Sequence, residues 1–429
     1  MSELKERIAV ANREALRRIV ESLPIWIDVR KAGEVVPGMR PNRVLHAGPP
    51  IFWDRMCLIQ RNAVCGAVVY EGLASTVERA TQMVAAGEVE IAPCHEHQAV
   101  GSMCGVISWS MPVFVVRNKT FGNEAFCQLY EHPDREKLSY GVYNERVYAN
   151  LKWLEEVLAP ALQAGIRSAG ELDLRNIIAR ALTMGDECHS RNFASTALFV
   201  TEIGPYLADS DSERKQLGQV LDFLRRSNQF ALHPIMAACK VVADAASGIE
   251  HSTVVTAIAR NGVETGIRVS GLGDHWFAGA AGEISGLFFS GYGPQDAQAD
   301  IGDSAVTETI GLGAFAHAAS PALALVKGPR AAAATEITEE MRAITLGENP
   351  NFAIPYLDSR GTPSGIDIRL VIETGIAPLI NTAIADNHGR GQIGVGNTRA
   401  PLDAFKKALR AFADHYDRSQ TGTLRIGRQ

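Results

Sequence analysis

Cys94-His95-Glu96-His97 follows an apolar run, Val89 to Ala92, that reads as the end of a strand. An extended backbone puts His95 and His97 on one face and Cys94 and Glu96 on the other. Two imidazoles on one face can ligate zinc if a third group such as His189 or Glu187 joins them. They can equally act as proton carrier and hydrogen-bond donor, or form a purely structural pair. The spacing is common and leaves all three readings open.

A second polar concentration runs from Gly185 through Asp186, Glu187, Cys188, His189, Ser190 and Arg191 to Asn192, at a junction between two helical patterns. Asp186 reads as an N-cap. Glu187, His189, Arg191 and Asn192 then offer an acid, a base, an anion clamp and an amide ligand in a single turn. Burying so many polar groups without a ligand is costly, which favours function over capping alone. Asn228, just after Arg225 and Arg226, precedes an apolar helix that carries His233 and Lys240. Lys240 either carries its ammonium to the surface or points it into a site as a charge for phosphate or carboxylate.

The densest polar cluster is Arg260-Asn261-Gly262-Val263-Glu264-Thr265-Gly266-Ile267-Arg268, continuing through Ser270 to Asp274. Two arginines flanking glycine turns suit capture of carboxylate or phosphate oxygens, with turn amides as further donors. The alternative is a hairpin with solvated charges. Asp303-Ser304 reads as the cap of the helix carrying Thr307, Glu308 and Thr309. Asn381 ends a strand, and Gly391-Gln392-Ile393-Gly394 follows; it matches a dinucleotide fingerprint poorly, because Asn387, His388 and Pro401 break the order of strand, turn and helix. There is no Walker lysine pattern, so nucleotide binding by these motifs is rejected.

The elements that must position these groups fall into three blocks. Short strands and glycine turns from about 25 to 120, with buried runs at Ala63 to Tyr70 and Pro112 to Val116, predict an α/β unit within 1–143, preceded by an amphipathic helix with Leu4, Ile8, Ala11, Ala15 and Ile19 on one face. Helical periodicity over 145–164, 172–184, 188–207, 212–226 and 231–246 predicts a helical middle domain, 144–250. Strands at Val254 to Ala259, Gly266 to Ser270 and Pro378 to Ala385, interleaved with helices near 303–320, 337–346 and 402–417, predict a second α/β domain, 251–429. The expected class is therefore α/β (α+β): two mixed domains separated by a helical one.

Composition narrows the function. The 429 residues are 46% hydrophobic, enough for substantial cores. With 42 Lys and Arg against 48 Asp and Glu, the formal charge of −6 offers no field for a phosphate backbone, so nucleic acid is not an expected partner. Seven cysteines without a CxxC pair fit reduced thiols and a cytoplasmic location. No stretch approaches the roughly 18 apolar residues of a bilayer span, so no membrane is expected either.

Taken together, the blocks His95-Glu-His-Gln-Ala-Val-Gly101, Gly105 to Ser108, Ser110 to Val116, Gly185 to His189, Met236 to Lys240, Ala259 to Gly262, Arg268 to Asp274, Asp300 to Ala305, Glu373 to Gly375 and Gly391 to Gly394 resemble the YlbE-like, or AllG-like, family over residues 25–402. Ser102, Cys104 and Trp109 depart from the proline or smaller residues expected there. The resemblance implies a subunit of oxamate carbamoyltransferase, which exchanges a carbamoyl group between oxalurate and phosphate to give oxamate and carbamoyl phosphate with FdrA-like and AllH-like partner subunits; a homo-oligomer is also expected. Such chemistry needs two anions held in line and an oxyanion stabilised as it develops, but no redox cofactor. On this reading Arg260, Arg268 and Lys240 hold phosphate and carboxylate oxygens, and His95, His97, His189 and Glu187 share proton transfer. Asn261 and Asn381 orient the ureido group, with Arg191, Asn192, Asn228, Glu264, Asp274 and Gln392 completing the binding set and no metal required. Two alternatives remain: a zinc amidohydrolase of a cyclic amide built on His95 and His97, and a non-catalytic subunit.

Overall fold

The computed structural model describes residues 2–209, 214–326 and 332–423. Its first helix, Ser2–Glu21, buries Ile8, Ala11, Ala15 and Ile19 as the periodicity predicts. From it Asn12 Nδ2 donates to Thr253 Oγ1 at 2.8 Å and to Asp367 Oδ2 at 3.3 Å, tying the N-terminus to distant chain. The chain is α/β, as expected, with several mixed sheets.

In the first half, a five-stranded sheet runs in the order Ala99–Val100, Glu124–Gln128, Pro112–Asn118, Pro24–Lys31, Leu172–Asp173. A three-stranded sheet beside it places Arg43–His46 between Glu90–Pro93 and Val106–Ile107. Ala63 to Tyr70, expected as a strand, belongs instead to the helix Leu58–Tyr70. A short apolar run has no periodicity to separate a buried helix from a buried strand, and here the helix is apolar on nearly every side.

The middle helices appear at Glu145–Trp153, Ala159–Ala169, Leu174–Thr183, Phe193–Ala208, Arg214–Arg226 and Leu232–Ala245. Residues 212 and 213, where the fourth of the expected segments starts, lie outside the described residues. Leu232–Ala245 packs on Pro112–Asn118 and Glu124–Gln128, and almost all of its residues are buried. A helix covered on all sides keeps no polar face, so His233 and Lys240 within it must find internal partners or line a cavity.

Beyond residue 250, Val255–Asn261 pairs antiparallel with Glu264–Val269, flanked by Ile301–Gly302 and Phe277–Ala280. Leu379–Ala385 and Gln392–Arg399 form another antiparallel pair, extended by Ser285–Phe288. The expected helix near 303–320 is reduced to Val306–Thr309 and a 3₁₀ stretch, Gly313–Ala319, and the one near 337–346 gives way to a strand at Thr345. Two loops meet between the halves. Asp303 N donates to the Gly101 carbonyl at 2.8 Å, and Gly101 N returns a bond to Asp303 Oδ2 at 2.9 Å.

Candidate functional site: a polar cleft around His95

The segment Cys94–His97 folds as one 3₁₀ turn rather than as a strand, because the parallel strand that feeds it ends at Pro93. His95 and His97 therefore do not share a face. His97 is half-buried with Nδ1 2.6 Å from the Pro37 carbonyl. His95 is 3% exposed, and neither ring nitrogen has a hydrogen-bond partner. Its ring lies edge-on to Trp276 at 5.6 Å.

His95 lines a cleft of about 540 Å³ together with Lys240, Arg268, Thr256 and Asp274. Lys240 comes from the all-round buried helix Leu232–Ala245 and is 2% exposed, with Nζ 2.5 Å from Asp244 Oδ1. Arg268 comes from Glu264–Val269 and stacks over Trp276 at 4.6 Å; its Nε has no partner. Its other nitrogens meet Asp274 at 3.2 Å and Glu96 at 3.6 Å. Burial first, then the charges of Lys240, Arg268 and Arg260, hold the His95 imidazole well below its ordinary pKa, so the ring is neutral. A neutral ring keeps one donor and one acceptor nitrogen for a guest.

Four acidic side chains, Glu96, Glu124, Asp244 and Asp274, also line this cleft, and Asp244, 24% exposed, pairs with Lys240 inside it. The Asp274 side chain is 96% exposed and that of Glu96 39%, whereas those of Lys240 and Arg268 are 3% and 10% exposed. Water screens the rim acids far more than the buried cations, by about fourfold between effective dielectrics of about 80 and about 20. The two cations are thus the most deeply buried charges in the lining, and Arg268 keeps one nitrogen without a partner.

Arg260 takes no part in it. The register sets Arg260 opposite Thr265 and Arg268 opposite Ala257. Thr265 and Arg268 lie three residues apart on one strand, so the two arginines project to opposite faces. Arg260 is fully buried, with Nε 2.8 Å from Asp300 Oδ2 and Nη1 2.5 Å from the Gly302 carbonyl. Its shared anion-binding role with Arg268 is replaced by an internal ion pair. Asn261 is likewise used by the fold: Oδ1 accepts from Val263 N and Glu264 N, closing the turn. Glu264 pairs with Arg55 at 3.1 Å.

Glu187, His189, Asn192 and Asn381 meet in a separate buried network. Glu187 accepts from the amides of His189, Ser190 and Arg191 at 2.6, 2.7 and 3.0 Å, and Asn381 Nδ2 lies 3.4 Å away. Burial, reinforced by Asp186 and Glu308, pushes the Glu187 carboxyl well above its ordinary pKa. Asp186 Oδ2 accepts from Ser195 N, capping from outside a helix that begins at Phe193, and Asn192 Nδ2 bonds the His189 carbonyl. The polar cost that pointed to a ligand is thus met largely within the turn. His189 Nδ1 is 2.8 Å from Glu308 Oε1.

Arg191 stacks on Phe193, Asn228 is exposed, and Gln392 bonds the Gly394 carbonyl in its own strand; the structure brings none of these three to the cleft. Sequence reasoning missed Asp303 and Trp276. Asp303 does not cap a helix; it accepts from Gly48 N and Gly101 N, and its Oδ1 stands 3.8 Å from His95 Nε2. Burial pushes its carboxyl up to about 7. Among the described residues no group of three His, Cys, Asp or Glu side chains is arranged to hold a metal.

The model of the family described as "Oxamate carbamoyltransferase subunit AllG" matches residues 89–304, a span that includes His95, Lys240, Arg268 and Asp303. The protein of that name in Escherichia coli (strain K12) is 42% identical over 411 residues, covering 95% of this chain and 98% of its own length. The chain belongs to the AllG family. Another E. coli relative of this AllG-family chain, "Uncharacterized protein YahG", is 46% identical over 416 residues, 97% of this chain and 88% of the relative. A crystal structure of a conserved protein of unknown function from Enterococcus faecalis V583 superposes with a TM-score of 0.94 at 45% identity, covering 96% of this chain and 99% of the other. Among the described residues, no helix is long and apolar enough to cross a membrane.

Proposed function

We propose that this AllG-family chain is a subunit of a carbamoyltransferase and that the His95 cleft holds the anionic part of its substrate, a phosphate, carbamoyl phosphate or a short ureido or amide carboxylate. The observation that carries this reading is a buried imidazole with both nitrogens unbonded, facing Lys240 and Arg268. An orphaned buried polar group costs about 1–3 kcal/mol, which a bound partner recovers.

In the transfer from oxalurate, a phosphate oxygen attacks the carbamoyl carbon. The bond from that carbon to the oxamate nitrogen breaks, and that nitrogen takes a proton. Arg268 and Lys240 supply charge for the anions and for the oxygen that becomes negative on the way. Neutral His95 can accept a proton at one nitrogen and give one at the other. The name of the E. coli relative supports a multi-subunit assembly, so FdrA-like and AllH-like partners belong to the proposal.

A thermal-shift panel with phosphate, carbamoyl phosphate, oxamate and oxalurate tests it, because a ligand at 100 times its Kd adds about 2.7 kcal/mol to folding stability. The expected result is a shift by at least one compound that disappears in Arg268→Ala. No shift from any of the four moves the site to a subunit interface and leaves this chain as a non-catalytic component.

A further inference from the structure

On the far side of the Gly101 and Asp303 loops lies a smaller, narrower cavity of about 50 Å³, lined by Lys137, Glu131, Tyr130, His189, His233 and Gln229 among others. Its volume fits a few water molecules or a guest of about four heavy atoms. Lys137 is 6% exposed. Its Nζ lies 4.5 Å from the Tyr130 ring centre and 5.4 Å from that of Tyr140, and it donates to Tyr130 Oη at 3.3 Å. Among the described residues no carboxylate oxygen pairs with it within 4.0 Å. Glu131 accepts from Leu138 N and Ser139 N at 2.6 and 2.8 Å, one bond to each oxygen. A buried ammonium with one weak acceptor for three donors is incomplete without an anion.

His189 also lines the cavity, with its Nδ1 committed to Glu308 Oε1 at 2.8 Å. Glu308 is itself fixed by Ala314 N and Asn381 N at 3.1 Å each. A guest therefore presents oxygens to Lys137 and a hydrogen to the lone pairs that Glu131, in the same lining, has left over.

We infer that this cavity is a binding site for a small planar monoanion bearing an O–H or N–H beside its carboxylate, namely bicarbonate or carbamate. The inference does not depend on the His95 cleft. Burial pushes the Lys137 ammonium down to about 8, so it is still mostly charged at neutral pH and can bind such an anion there. Gln229 is only half-buried and bonds the Ser190 carbonyl at 3.2 Å, which places it at the entrance.

The test follows the ¹³C line width of [¹³C]bicarbonate near pH 7 with the full chain, as the sodium salt and as the ammonium salt, in which carbamate forms. Saturable broadening is expected in wild type and in Arg268→Ala. It should weaken at least tenfold in Lys137→Gln and in Gln229→Trp, which closes the entrance while leaving the ammonium in place. Should Lys137→Gln fail to fold, Gln229→Trp decides. Tighter binding of the ammonium salt identifies carbamate, and equal binding identifies bicarbonate. Acetate, which lacks the hydrogen, should bind at least tenfold more weakly. No saturable broadening in wild type, loss in Arg268→Ala with retention in both cavity variants, or acetate binding as tightly as bicarbonate would overturn the inference.

Discussion

His95 Nε2 stands 3.8 Å from Asp303 Oδ1, too far for a hydrogen bond although both side chains are fully buried. Asp303 also bonds Gly48 and Gly101, so one carboxylate both closes the loop that backs the cleft and faces its unbonded imidazole. The two pockets share that wall: Ser102 and Ser304 line the Lys137 cavity, while His95 lines the cleft.

Replacing His95 separates stability from function. In His95→Leu no protein hydrogen bond is lost and a buried unsatisfied group is removed, so the urea midpoint should stay level or rise by the equivalent of about 1 kcal/mol. Anion affinity should fall at the same time. A large destabilisation would show that the imidazole has a structural partner.

Arg260 behaves in the opposite way. Arg260→Met leaves Asp300 buried beside Thr382 without its cation, and the loss should be about 3–5 kcal/mol in urea unfolding. Adding Asp300→Leu should recover part of that loss. A stable Arg260→Met that no longer binds phosphate would restore Arg260 to the site.

Gly302 has φ +121°, and a Cβ there would sit 2.6 Å from Met103 N. Gly302→Ala must push apart the loops that back both pockets. The expected cost exceeds about 2 kcal/mol, with weakened binding at both sites; calorimetry showing a wild-type melting temperature would contradict the packing described.

Acid should destabilise the chain through His46 and His233. Burial holds both rings near a pKa of about 4 in the folded state, against 6.5 for the free group. Between those values the unfolded chain binds more protons, so stability falls as pH drops from 6.5 towards 4, by on the order of 3 kcal/mol per ring. Asp303 acts in the reverse sense: its carboxyl, raised from 3.8 to about 7, contributes fully below 3.8 and is lost as pH rises through 7. Urea midpoints at pH 7 and pH 5 should therefore converge in His233→Gln relative to wild type. An unchanged difference would mean that His233 is protonated in the fold.

The N-terminal helix was legible because Ile8, Ala11, Ala15 and Ile19 repeat with one period. Lys240 stood out as a charge on an apolar helix and Arg268 as an arginine flanking glycine turns, and both line the cleft. The divergence of His95 from His97 was not legible, since a 3₁₀ turn and a strand end share the same four letters until the neighbouring chain is known. Arg260 and Arg268 look equivalent in sequence; only the strand register puts them on opposite faces. Lys137 sits in the charged run Asp134 to Lys137, which reads as a solvated loop, and nothing local announces that Tyr130 and Tyr140 fold over it.

The central claim is that buried cations and a neutral imidazole bind an anion in the His95 cleft. Isothermal titration of carbamoyl phosphate into wild type and Arg268→Ala at low salt tests it most directly. One site in wild type, weakened at least tenfold in Arg268→Ala as expected for a lost charge-assisted contact, is the predicted result. Equal affinity in the two proteins, or no heat in wild type, would contradict it.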